Sequence, residues 1–166
     1  MCEAKPGPSF NDLAIAAEWS HGEQIESLAD CERSLGQGQK TTFAGNWVRL
    51  PAGESNARYV VVRYPVCLAK DEPILLMFAS RTPVQVWWNE EKVIASEGAP
   101  FTPSFHRQGR ELVVELDGKA GEHTITAAVR NPESNEELMW CVGLADRAEP
   151  RMCSNWLPFA FRRASK

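Results

Sequence analysis

Gln85, Trp87 and Asn89 fall at alternate positions of the run Val84-Gln85-Val86-Trp87-Trp88-Asn89. Residues two apart in a strand share a face. Val84, Val86 and Trp88 then form a wholly apolar face that belongs in a core. Gln85, Trp87 and Asn89 form the more polar one. Sugar rings stack their C–H faces on aromatic planes, while neighbouring polar side chains bond the hydroxyls, and an indole between two amides can do both. Trp87 as a ligand platform is one reading. The other has its ring packed under a loop or under the N-terminal segment.

His106 and Arg107 follow Pro103-Ser104-Phe105 and precede Gln108. A histidine and an arginine on a loop at the end of a rigid scaffold can bond sugar hydroxyls or an acidic group; an exposed loop without a ligand is the plain alternative. Trp47, Trp88, Trp140 and Trp156 lie in apolar runs and are expected in a core, and Trp19 suits a cap at one end. His21 and His123 show no partner spacing and read as surface residues.

Arrangements for catalysis are sparse. The chain has no Gly-x-Ser-x-Gly elbow, no phosphate-binding glycine loop and no His-Glu-x-x-His. Asp71, Glu72, Glu90, Glu91, Glu136 and Glu137 gather at turns. A retaining glycosidase needs two carboxyl groups about 5 Å apart across a cleft, and nothing in the spacing sets up such a pair. Turn acids also suit calcium, but no dense Asp/Asn loop marks a site, so no cofactor or metal residue is assigned. The expectation is a protein without catalysis of its own.

The five cysteines are Cys2, Cys31, Cys67, Cys141 and Cys153, with no Cys-x-x-Cys and no zinc spacing. Cys67 and Cys141 sit in apolar runs and read as small buried hydrophobes. Cys31 and Cys153 lie in irregular surroundings, where a disulfide between them is open. Cys2, followed by the polar stretch from Glu3 to Ser9, fits a lipidated cysteine on a tether as well as a chance cysteine near a boundary.

The formal net charge of −4 and the lack of a long basic run argue against nucleic acid. No run of about 18 apolar residues exists to span a membrane. No secretory signal is visible; localisation is left open, with an extracytoplasmic setting (secreted, periplasmic or lipoprotein) favoured over others. The 166 residues, 43% hydrophobic, suit one folded domain.

Elements that would position these residues emerge from the punctuation. Residues 1–11 read as a flexible tail and 12–162 as a single domain, best supported over 58–144. Leu13 to Trp19 suits a first strand, and Ser20 to Gly45 reads as mostly loop, with a helical or strand hint around Ile25 to Leu28. From Trp47 onward short apolar runs alternate with turns. They are Arg58–Leu68, with Pro65 marking a bulge or an edge, then Ile74–Ser80, Val84–Asn89, Lys92–Ala95, Glu111–Leu116, His123–Arg130, Leu138–Leu144 and Asn155–Phe161. No convincing amphipathic helix lies between them. The pattern predicts an all-β antiparallel sandwich.

The stretch Arg58 to Leu144 resembles galactose-binding-like jelly-roll domains, among them the sugar-binding domains of β-galactosidases and β-glucuronidases and many carbohydrate-binding modules. The residues that carry the likeness are Arg58-Tyr59-Val60-Val61-Val62-Arg63-Tyr64, Pro73-Ile74-Leu75-Leu76-Met77-Phe78 and Val84-Gln85-Val86-Trp87-Trp88-Asn89. Phe101 to Phe105 and the run Gly118 to Asn131 complete them. Where the family has Asn-Gly in its hairpin, this chain has Asn89-Glu90-Glu91, so a longer turn or another type is expected. The resemblance implies a jelly roll that serves as a sugar-binding module or as a scaffold beside a catalytic domain, sometimes with a structural calcium ion.

Three roles follow in order. The first is a non-catalytic carbohydrate-binding or accessory module, part of a larger glycan-processing or surface protein, with a glycan as ligand and Trp87, Gln85, Asn89, His106 and Arg107 as binding residues. The second is a structural or protein-interaction module whose partner is a protein or the parent enzyme's domains. The third is a small polysaccharide lyase using Tyr59, Tyr64, His106 and Arg107.

Overall fold

A computed structural model describes residues 14–44, 47–50, 57–98, 112–133, 136–146 and 161. The elements run β1 (Ala14–Gly22), α1 (Leu28–Leu35), β2 (Gln39–Ala44), β3 (Trp47–Leu50), β4 (Tyr59–Leu68), β5 (Glu72–Ser80), β6 (Val84–Trp88), β7 (Glu91–Ser96), β8 (Leu112–Gly118), β9 (Gly121–Arg130) and β10 (Leu138–Asp146). They form a six-stranded sheet in the order β2-β1-β4-β9-β6-β7 and a four-stranded sheet in the order β3-β10-β5-β8. Every strand pair is antiparallel. The protein is an all-β antiparallel sandwich.

Period-two alternation builds the core. On β4, Val60, Val62, Tyr64, Val66 and Leu68 face inward and are buried. Val84, Val86 and Trp88 do the same on β6, and Ile74, Leu76 and Phe78 on β5. The two sheets are also joined by a polar bond. The indole N–H of Trp140 on β10 donates to the hydroxyl of Tyr64 on β4 at 2.7 Å. Phe43 meets Trp140 edge-on with ring centres 5.9 Å apart, and Phe161 meets Tyr64 at 6.0 Å. This aromatic group buries much apolar area, and its one indole donor is satisfied.

Pro65 sits inside β4 opposite Thr124 of β9. It is tolerated because β1 pairs with β4 only from Tyr59 to Arg63, so Pro65 lies past the end of that pairing. The β6–β7 hairpin closes with Trp88 opposite Glu91, which leaves only Asn89 and Glu90 in the loop. The turn is therefore of another type rather than longer. Asn89 alone takes positive φ, at 53°, the pattern of a II′ turn rather than the I′ turn that Asn-Gly favours.

The expectation of loop over Ser20 to Gly45 is corrected. That stretch holds α1 and the edge strand β2. α1 starts at a capping box. The Asp30 carboxylate accepts from the Ser27 N–H at 2.9 Å, and the Ser27 hydroxyl accepts from the Asp30 N–H at 3.4 Å. Leu28, Cys31 and Leu35 recur at helical spacing and turn one stripe toward the sheet. The hint around Ile25 to Leu28 falls at the start of this helix, and the stretch reads as mostly loop because α1 spans only eight residues. The Asn155–Phe161 run and the tail at 1–11 lie outside the described residues, apart from Phe161, which bridges Val66.

Two cysteine expectations also change. Cys67 faces outward from β4 and is exposed, because the parity that buries Val66 and Leu68 turns it to solvent. Cys31 is fully buried in α1 as a free thiol, not in an irregular segment. Burial, reinforced by Asp30 and Glu32, pushes that thiol up to about 12. Cys141 is buried as expected, and Cys153 lies outside the described residues.

Candidate functional site

Parity along β6 separates its side chains. Val84, Val86 and Trp88 enter the main core, while Gln85 and Trp87 point to the outer face of the six-stranded sheet. That outer face is not open at Trp87. Ile25, Cys31 and Leu35 close over it from α1 and its approach, and with Val61, Ala128 and Trp87 they form a second apolar cluster. Trp87 is only 2% exposed. The platform expectation is corrected here, because the helix covers the ring that a sugar would need.

The polar neighbours of Trp87 are tied into the same cover. Lys92 Nζ lies 5.1 Å from the indole centre and donates to Gln85 Oε1 at 2.6 Å. Gln85 Nε2 donates to the Ile25 carbonyl at 3.4 Å, and Lys92 also reaches the Glu26 carbonyl at 3.5 Å. On β4, Arg63 pairs with Glu32 of α1 and, at 3.4 Å, with Glu18 of β1. Gln85 therefore holds the approach to α1 rather than an open ligand face.

Asn89 sits apart, at the hairpin tip. Its N–H donates to the Thr124 carbonyl at 2.9 Å, and its Oδ1 accepts from the Thr124 N–H at 3.0 Å. Its Nδ2 lies 3.0 Å from His123 Nδ1, and His123 Nε2 lies 2.6 Å from the Lys119 carbonyl. A carbonyl only accepts, so Nε2 carries the proton and Nδ1 accepts from Asn89; the tautomer is assigned from these partners. The imidazole stacks on Trp88 with centres 4.7 Å apart. The sequence gives His123 no partner because Asn89 and Trp88 lie more than thirty positions away in the chain. Both Asn89 and His123 are committed to closing this end of the sandwich.

His106 and Arg107 lie outside the described residues. Their connection leaves β7 past Ser96, which pairs with Val84, and enters β8 at Leu112, which pairs with Phe78. Both anchors are at the end of the sandwich where Gly22 of β1 pairs with Tyr59 of β4. Of the tyrosines considered for lyase chemistry, Tyr64 is fully buried and bonded to Trp140, and burial drives its ionisation upward, out of the range of a catalytic base. Tyr59 packs partly buried against the α1 cluster.

A polar cleft of about 480 Å³ lies at that Gly22–Tyr59 end, lined by Glu23, Gln24, Asp30, Arg33, Ser34 and Arg58. Gly22 sits closely against α1 and its approach: a β-carbon there would lie 2.7 Å from the Ile25 side chain and 3.1 Å from Ser34 Oγ. Asp30 is fixed by the capping box and by Arg33, whose Nη1 is 3.3 Å away. The Ser27 hydroxyl, then backbone N–H donors and Arg33, hold its carboxyl below the ordinary carboxylate range. The Arg58 carbonyl accepts from the Asn131 N–H at 2.9 Å, which pins the backbone of the opposite wall. Sequence reasoning passed over all six residues, since five come from a stretch read as loop. The Ser27-x-x-Asp30 capping signature was the available signal.

Among the described residues no three histidine, cysteine or acidic side chains are grouped so as to hold a metal ion, and no helix is long and apolar enough to cross a membrane. At the other end, Lys119 lies between Asp71 and Asp117, which raise its pKa, Asp117 more strongly.

No family model matches the chain, and no curated protein matches it. Solved structures do. The β-glucosidase of Kluyveromyces marxianus in complex with glucose superposes with a TM-score of 0.58 at 11% identity, covering 89% of this chain and 19% of that one. The selenomethionine-labelled form of that organism's enzyme gives 0.53 at 9%, covering 84% and 16%. The PA14 domain of the MpAFP antifreeze protein gives 0.49 at 10%, covering 99% and 96%. The chain spans about a fifth of the glucosidase chains it matches. At these identities the likeness to the glucosidase is one of fold.

Proposed function

We propose that this chain is a non-catalytic carbohydrate-binding or accessory module of galactose-binding-like, jelly-roll type, working within a larger glycan-processing or surface protein. The observation that carries the reading is the superposition of almost the whole chain on about a fifth of a β-glucosidase. A sandwich of this kind is one part of that much longer enzyme, and the present chain has the size of that part. Fold alone does not assign function, so the residues supply the second support. Three described groups suited to acid–base chemistry are held in structural bonds: Asp30 in a helix cap, Asp71 on the Ala120 N–H, His123 between Asn89 and Lys119. The polar cleft beside Gly22 offers a ligand both carboxylates and guanidinium groups instead.

A glycan array on the full chain, followed by titration of the hits against tryptophan fluorescence, tests the reading. Saturable binding of at least one glycan without turnover supports it. A chain that binds none is not a carbohydrate-binding module.

The burial of Trp87 favours a second reading, a scaffold that contacts neighbouring protein, because the aromatic residue that parity turns outward is committed to holding α1. Light scattering over a range of concentrations addresses it. A stable oligomer in a chain that binds no glycan is its expected result.

A further inference from the structure

The cleft between β1, α1 and the start of β4 differs from the residues around Trp87 and Asn89 in one respect. Its polar side chains are not used up. Glu23, Gln24 and Arg58 make no side-chain hydrogen bond or ion pair among the described residues, while Gln85, Lys92, Asn89 and His123 are all bonded to one another or to backbone. The walls that carry these free groups are nevertheless fixed. Gly22 is buried at the end of β1, Asp30 is locked in the capping box, and the backbone of Ala57 and Arg58 is held from across the loop by Asn131. The backbone frame is thus set before a ligand arrives, and the exposed side chains of Glu23, Gln24 and Arg58 are what the ligand must order.

We infer that this cleft is the module's ligand site and that it takes a neutral, hydroxyl-rich sugar ring held by hydrogen bonds rather than by stacking. The inference rests on the carbohydrate-binding reading above. Among the described residues two carboxylates, Glu23 and Asp30, balance two guanidinium groups, Arg33 and Arg58, so this lining carries no net charge to draw an ion of either sign. A sugar hydroxyl donates and accepts at once. It can donate to a carboxylate and accept from a guanidinium or amide, and such charge-assisted bonds are the strong ones. Glu23 is the acceptor, Arg58 the donor, and Gln24 and Ser34 supply both functions. Asp30 already accepts from Ser27, Glu26 and Arg33, so it shapes the wall more than it binds. A volume of about 480 Å³ falls within the usual range of about 300–1,000 Å³ for small-molecule sites. Among the described residues no aromatic side chain lines it, and the Trp87 platform has no part in this mode. A carboxylate finds no net attraction in this balanced lining and must give up its hydration to enter, so an anionic sugar binds more weakly than a neutral one.

The test uses the full chain labelled with nitrogen-15 and titrated with glucose, galactose, mannose and N-acetylglucosamine, with glucuronic acid as the anionic arm. Amide shifts are expected to centre on residues 22–24, 30–34 and 58. Glucuronic acid is expected to bind at least fivefold more weakly than the best neutral sugar. Arg58→Ala and Glu23→Gln should each weaken binding fivefold or more with an unchanged melting temperature, and Glu90→Gln, at the far end of the sandwich, should bind as the parent does. Shifts centred elsewhere, or binding unaffected by both cleft substitutions, overturn this site while leaving a sugar-binding module in place. Equal or tighter binding of glucuronic acid overturns the charge-balance argument. Absence of binding by the panel, together with a blank glycan array, overturns the carbohydrate reading itself.

Discussion

At Trp87, alternation along β6 places the indole on the outer face of its sheet, and α1 then closes over it. The side chain behaves as part of a small second core. Trp87→Ala should therefore cost about 3–5 kcal/mol, the usual range for emptying a buried tryptophan site. Urea unfolding measures this, and a loss below 1 kcal/mol would show a ring that the helix does not cover. Asp30 and Asp71 make an acid-side prediction. The Ser27 hydroxyl lowers the first and the Ala120 N–H the second, both from an ordinary 3.8. A carboxyl lowered on folding adds stability that is complete above its unfolded value and drains away as pH falls through the folded one. Below pH 3.8 the parent should lose stability more steeply than the D30N/D71N double variant, and superimposable pH profiles would contradict it. These local bonds are partly legible in sequence, since Ser27-x-x-Asp30 is a capping signature. The pairing of Asn89 with His123 is not, because only the β6–β9 register brings them together.

Most strands announce themselves through apolar alternation and turn residues, and β4 to β10 follow the runs read between Arg58 and Leu144. The two elements between Ser20 and Gly45 do not. β2 is an edge strand with Lys40 and Thr42 turned to solvent, so its pattern is diluted. α1 repeats its apolar stripe over only two turns, and a helix of that length is marginal without tertiary packing. Its cap then carries unusual weight. Ser27→Ala should destabilise the protein by about 1 kcal/mol, read from the midpoint of chemical unfolding. It should also speed amide exchange in residues 28–35. Exchange unchanged in that segment would mean that packing alone sets the helix.

At the scale of the molecule, the two sheets are joined by apolar packing and by a buried bond from Trp140 to Tyr64. Tyr64→Phe keeps the ring but leaves the indole N–H without its acceptor in a dry core. The expected loss is about 1–3 kcal/mol, measured by denaturation, and a variant as stable as the parent would show another acceptor at that site. The sandwich also sorts its thiols. Cys67 on the outer face of β4 should react with iodoacetamide within minutes, whereas Cys31 should be modified only when α1 detaches or the protein unfolds. Peptide mapping after timed alkylation reads the order directly, and early modification of Cys31 would place α1 away from the sheet.

The sequence by itself determined the class of fold. Side-chain alternation is a local property, and strands such as β4 and β6 display it whatever they pair with. It also determined which residues of β6 point together. What it could not determine is what lies over them. The covering of Trp87 by residues 25–35, the joining of Asn89 to His123 and the cleft formed by residues 23–34 with Arg58 each bring together positions far apart in the chain. No spacing rule encodes those meetings. Strand order and register decide them, and that is why the tertiary structure moved the candidate site from an aromatic face to a polar cleft at the sandwich's end.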